Sequence, residues 1–144
     1  DDIMFMQMMI PHHQQAVDMG TLAETRASNP KVKALAAQIK KEQAPEIAEM
    51  KQWLKDAGAG MTMNHSMTMS GMLTEAEMTK LENSTGAEFD RLYLEGMIGH
   101  HEGALQMAKM IADSNNAEAK TLAANIVSSQ SAEIEKMKQM LAAM

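Results

Sequence analysis

Residues 9–13 read Met9-Ile10-Pro11-His12-His13, and residues 97–101 read Met97-Ile98-Gly99-His100-His101. The two stretches lie 88 residues apart, and the match spreads outward from both. Upstream, Asp2 pairs with Asp90 and Phe5 with Tyr93; downstream, Ala16 pairs with Ala104 and Met19 with Met107. After a one-residue slip the offset is 87, and Leu35 pairs with Leu122, Ile39 with Ile126, Gln43 with Gln130 and Glu46-Ile47 with Glu133-Ile134. Met50-Lys51-Gln52 then matches Met137-Lys138-Gln139. A repeat this long means that one structural unit occurs twice.

Each unit reads as two helices. Ala, Leu, Glu, Lys, Gln and Met dominate it, and all are good helix formers. The 144 residues hold only three prolines and eight glycines. The patterning predicts helices over Asp2–Ala27 and Pro30–Ala57, broken at Ser28-Asn29-Pro30, where Ser and Asn suit caps and Pro suits the first turn. The second unit gives Ala87–Asp113 and Ala117–Ala143, broken at Ser114-Asn115-Asn116. Connections this short make antiparallel neighbours, so two hairpins give an all-α four-helix bundle. A short helix within Leu73–Ser84 is expected too, opened by Thr74 with Glu77 as its capping box. The chain is expected to be one domain: repeat one over 1–57, a loop over 58–73 and repeat two over 74–144.

Composition narrows the function. A net charge of −6 leaves no basic patch for nucleic acid. No apolar run is long enough to span a membrane. The chain opens inside an amphipathic pattern at Asp1, as a trimmed mature form would. Eighteen residues are Met and none is Cys. Thioethers are soft ligands that need no deprotonation, and avoiding thiols suits an oxidising compartment. That balance leans toward an exported protein.

The apolar stripes carry the sharper signal. On the second helix the stripe runs Val32, Leu35, Ile39, Gln43, Glu46, Met50, Trp53; on the fourth it runs Ala119, Leu122, Ile126, Gln130, Glu133, Met137, Met140. Gln then Glu interrupts both at the same place. The first helix gives Phe5, Met9, His12, Ala16, Met19 and the third Tyr93, Met97, His100, Ala104, Met107, each interrupted by His. Counting from the hairpin turns sets His12 and His13 level with Gln43, Glu46 and Met50. The same count sets His100 and His101 level with Gln130, Glu133 and Met137.

A buried polar group left without a hydrogen bond costs about 1–3 kcal/mol. Two arrangements avoid that cost: a structural His–Glu hydrogen bond in each hairpin, or a metal site built from His, Met and Glu. Met9-x-x-His12 and Met97-x-x-His100 put thioether and imidazole on one helix face. Di-iron bundles use Glu-x-x-His at this spacing. A thioether in place of the carboxylate shifts preference toward copper(I), or silver(I) as its mimic. Copper(II) remains open through the imidazoles and a carboxylate. Adjacent histidines point ~100° apart on a helix, and distortion at Pro11 is one way to turn both inward.

Between the repeats, Gly58–Met72 reads GAGMTMNHSMTMSGM. A linker whose Met follows the overall bias is one reading. A second metal site of Met61, Met63, His65, Met67, Met69 and Met72 is the other, since a loop has no core for thioethers to fill. Met4, Met6, Met8 and Met9 crowd the first helix and can extend such a path inward. Met107, Met110, Met137, Met140 and Met144 serve either as core or as ligands, whereas Met78 reads as packing. Lys40, Lys41 and Glu42 read as a solvated face.

The motif M-I-x-H-H followed by A-[VL]-x-M, and then L-A-x-x-I-x-x-x-Q-x-x-E-I-x-x-M, resembles a family of secreted bacterial proteins. That family was first catalogued as a domain of unknown function with a double-histidine motif. The resemblance covers both repeats and implies a ferritin-like fold, with periplasmic copper-binding proteins among its members. It implies His12, His13, His100 and His101 as the paired histidines, with Met9 and Met97 in the same motifs; the central loop lies outside the shared motif. The leading expectation is a copper buffer, chaperone or resistance protein of the bacterial envelope, periplasmic or secreted. Its partners would be metal ions and another copper-handling protein, and it would not be an enzyme. The rivals are a copper or di-metal oxidase, and a structural bundle with buried His–Glu pairs.

Overall fold

The computed structural model describes residues 1–61 and 71–144. Among the described residues there are four long helices and one short one: α1 (Asp2–Arg26), α2 (Pro30–Asp56), α3 (Glu75–Glu82), α4 (Gly86–Ala108) and α5 (Ala117–Ala142). Each boundary has a local cause. Asn29 caps α2 by accepting from the Lys31 N–H, with Pro30 in the first turn. Asn116 caps α5 by accepting from the Ala119 N–H. Thr74 and Glu77 form the expected capping box of α3. One boundary departs from expectation: α4 stops at Ala108, and Lys109–Ile111 forms a 3-10 turn instead of extending the helix to Asp113. Such tightening of a last turn is common where carbonyls lack partners.

The hairpins pack α1 on α2 and α4 on α5, and α1 against α4 joins them. Two homologous aspartates fix the antiparallel sense of that seam. Asp90, near the start of α4, accepts from the Ser28 N–H, the Ser28 hydroxyl and the Asn29 N–H just past α1. Asp2, at the start of α1, accepts from the Ser114 hydroxyl just past α4. The sequence repeat thus becomes an approximate twofold arrangement. At one end, the Trp53 indole N–H donates to Asn116 Oδ1, tying the end of α2 to the start of α5.

The described parts of the connection between hairpins are held against α1. The Gln7 amide donates to the Gly60 carbonyl, Gln15 exchanges two hydrogen bonds with the Leu73 backbone, and Arg26 donates to the Glu82 carbonyl. Gly71 has φ +78° and lies so close to α4 that a Cβ would overlap the Gly99 carbonyl.

The apolar core is split in two. One half gathers Phe5, Met9, Met50, Leu54, Met107 and Ile126. The other gathers Met19, Leu35, Ile39, Phe89, Met97 and Met137. Between them the buried residues are polar.

Candidate metal centre

All four paired histidines lie in that polar layer, at no more than 1 % exposure. Distortion at Pro11 is not required to bring them in. α1 stays helical through Pro11, and it is covered on one side by α2 and on the next by α4. Residues ~100° apart can therefore both be buried, against different neighbours.

The members of each pair do different things. His12 and His100 meet across the α1–α4 seam, with ring centroids 3.8 Å apart and planes tilted by 35°. His13 instead faces α2, its Nε2 2.6 Å from Glu46 Oε1. His101 faces α5, its Nε2 2.6 Å from Glu133 Oε1. The carboxylate accepting from Nε2–H selects the tautomer with a lone pair on Nδ1. Metal-binding histidines are commonly oriented in this way by a carboxylate on the far nitrogen.

The free nitrogens are where a ligand would need them. Nδ1 of His13, Nδ1 of His101 and both ring nitrogens of His100 are buried without a hydrogen-bond partner. Burial holds His100 well below the ordinary imidazole range, and the neighbouring His12 adds to this. Burial, then His13, lowers His101 to about 3. These two rings are therefore neutral at pH 7, the form that binds a metal. Gln43 and Gln130 border the layer, with both amide atoms of Gln43 and Oε1 of Gln130 unpartnered. Tyr93 is also buried with its hydroxyl unpartnered, and burial followed by the Glu133 charge raises its pKa.

Among the described residues, no group of three or more His, Asp or Glu side chains is placed to hold one ion unaided. Thioethers are present on both sides of the layer. Met9, Met50 and Met107 pack in one half of the core, and Met97, Met137 and Met19 in the other. These are the six bundle methionines singled out from the sequence, and each group takes one member from the opposite repeat. The donor set, imidazole plus thioether, fits a soft monovalent ion.

The loop residues divide differently. Met61 is exposed next to Gly60, and Met72 is half-buried next to Leu73; neither is part of the core that flanks the histidines. Met63, His65, Met67 and Met69 lie outside the described residues.

One neighbour of the site was misread as solvated. Glu42 is half-buried, and contact with the Glu133 carboxyl, then burial, raises its pKa to about 7. Burial also raises Glu133 itself. The available signal was position: Glu42 sits one turn before Glu46 on α2, hence on a similar face.

The profile of the DUF305 family (domain of unknown function) matches residues 2–141. A DUF305 protein of Streptomyces coelicolor described as secreted is 34% identical, with TM-score 0.91 over 96% of this chain and 90% of that one. A DUF305 fragment from Deinococcus radiodurans is 30% identical, with TM-score 0.91 over 99% and 96%. CopM in its Cu(I)-bound form is 35% identical, with TM-score 0.82 over 97% and 94%. CopM has also been solved with Cu(II) and with Ag. No curated protein matches the chain.

Proposed function

We propose that this chain, which belongs to the DUF305 family, is a soft-metal-binding protein that takes copper(I) by preference. The observation that carries the reading is the buried layer itself. Neutral imidazoles with unpartnered nitrogens lie between two groups of thioethers. Leaving such nitrogens unpaired costs about 1–3 kcal/mol each, a cost that bound metal removes. Similarity to CopM, solved with copper and silver, supports the same assignment.

His100, His13 and His101 with Met9, Met50, Met97, Met107, Met19 and Met137 are the ligand pool, and His12 completes it. Glu46 and Glu133 orient imidazoles more than they bind, although either could take part in a copper(II) complex. Met61, Met63, His65, Met67, Met69 and Met72 would form a looser collecting site. The protein acts without turnover, as a buffer or chaperone that shields copper(I) and hands it to another copper-handling protein. A periplasmic or secreted setting suits this. The similar Streptomyces protein is described as secreted, and among the described residues no helix is long and apolar enough to cross a membrane.

The test is copper(I) titration against a competing chelator. Affinity well above that of a scrambled Met-rich peptide, lost in His100→Ala with the helical content retained, is the expected result. Peptide-like affinity would overturn the reading, and oxygen-dependent turnover would favour an oxidase.

A further inference from the structure

The histidine layer is fully buried, so an ion needs a way in. We propose that Met4 and Met8 form a one-sided uptake route for a soft monovalent ion, leading down α1 to His12; this rests on the copper(I) reading above. Met4, Met8 and His12 are spaced i, i+4, i+8 along one side of α1. Their exposures are 40 %, 7 % and 0 %, a graded descent from solvent to the layer. Each step advances about 6 Å along the helix axis, within reach of flexible thioether side chains.

Packing accounts for Met8, which lies in the apolar core, but not for Met4. An exposed Met4 gains little from burial, and repeat two has no counterpart. At the matching positions, Met4 is replaced by Leu92 and Met8 by Gly96. The space over Gly96 is filled by Leu73, whose side chain lies 3.2 Å from a Cβ placed there. Two hydrogen bonds to Gln15 hold the Leu73 backbone in position. On the α4 side the space is thus filled by Leu73 and, at 3.5 Å, by the methyl end of the buried Met19, with no thioether of α4 itself leading outward, while α1 carries its own thioethers at both positions. The Gln7–Gly60 hydrogen bond holds the residue before the exposed Met61 against α1. A soft ion passed between thioethers needs no proton release and no return to water.

The test follows copper(I) transfer from a coloured copper(I) chelate by stopped flow, alongside equilibrium competition. Met4→Leu with Met8→Leu nearly preserves volume, so the fold should persist; Met4→Gln serves as a second variant at the exposed position. The double variant should load about tenfold more slowly, equivalent to about 1.4 kcal/mol on the barrier, with equilibrium affinity nearly unchanged. Met144→Leu removes an exposed thioether at the opposite end of the bundle and should load at the normal rate. Normal loading by both ladder variants would overturn the route while leaving the binding reading intact. An unaltered protein that takes up no copper(I) would overturn both.

Discussion

His12 and His100 lie ring against ring across the α1–α4 seam, 3.8 Å between centroids. An imidazole binds a metal through an in-plane lone pair, so two facing rings do not aim at one ion. Loading must turn at least one of them. His100 has no side-chain hydrogen-bond partner at either nitrogen, and only the backbone of His12 offers its ring a polar neighbour.

His100→Leu should therefore separate binding from stability. Without metal, the variant should be as stable as the natural chain, or more stable by up to about 1–3 kcal/mol, because an unsatisfied buried group is gone. With silver(I) present, the stabilisation expected of a ligand that binds only the native state should largely disappear. Urea unfolding with and without silver(I) measures both. A clear loss of metal-free stability would assign His100 a structural role instead.

Stability against pH should show two opposed effects. His101 is lowered from 6.5 to about 3 in the fold, so it favours the fold above pH 6.5. That contribution is lost as pH falls from 6.5 toward 3, while the unfolded chain takes up protons. His100 is lowered too and acts in the same direction. Glu42 is raised from 4.5 to about 7, so its contribution is fully present below 4.5 and is lost as pH rises through 7. Glu133, also raised, joins it. Between pH 4.5 and 6.5 the effects oppose each other, and the urea midpoint should change little before dropping below 4.5. In Glu42→Gln the compensation is reduced, and the midpoint should fall steadily from pH 6.5 downward. Identical profiles for the two proteins would contradict the Glu42–Glu133 contact.

The paired hairpins and the His–Glu level could be read from the sequence because Gln and Glu interrupt two otherwise apolar stripes at matching positions. Turn lengths then fixed the register within each hairpin. The packing between hairpins was not encoded so locally. That Met107 joins Met9 and Met50, while Met19 joins Met97 and Met137, depends on α1 and α4 running antiparallel. Asp2 and Asp90 hold that arrangement, and they stood out in the sequence only as matching residues. The division of labour within each His pair was hidden for the same reason: it depends on which neighbour covers each side of the helix. Glu42 was hidden by its charged neighbours Lys40 and Lys41.

Two glycines with similar backbone angles should respond differently to alanine. Gly58 has φ +71° and open space around it, whereas Gly71 has φ +78° and sits against the Gly99 carbonyl and Gly103. Gly58→Ala should cost about 1–2 kcal/mol for the left-handed conformation alone. Gly71→Ala adds a backbone overlap that only displacement of the Gly71–Leu73 segment relieves, so its fall in Tm should be at least about twice as large. Equal falls would show that this segment does not rest on α4 as described.

The thioether groups make a prediction about how ions share the site. Met9 and Met97 occupy matching places in the two repeats but lie in opposite halves of the core. Met9→Leu and Met97→Leu are near volume-conserving, so each should cost less than about 1.5 kcal/mol of metal-free stability. If each half supplies its own ion, each single variant should lose affinity at one site and leave the other intact. Their effects on total copper(I) binding should then add, as they do for independent positions. A single ion drawing on both halves would instead give strongly non-additive losses, with either variant alone removing most of the affinity. The His12–His100 contact at the seam, which both halves share, favours the non-additive outcome. A double-mutant cycle read by chelator competition decides between them.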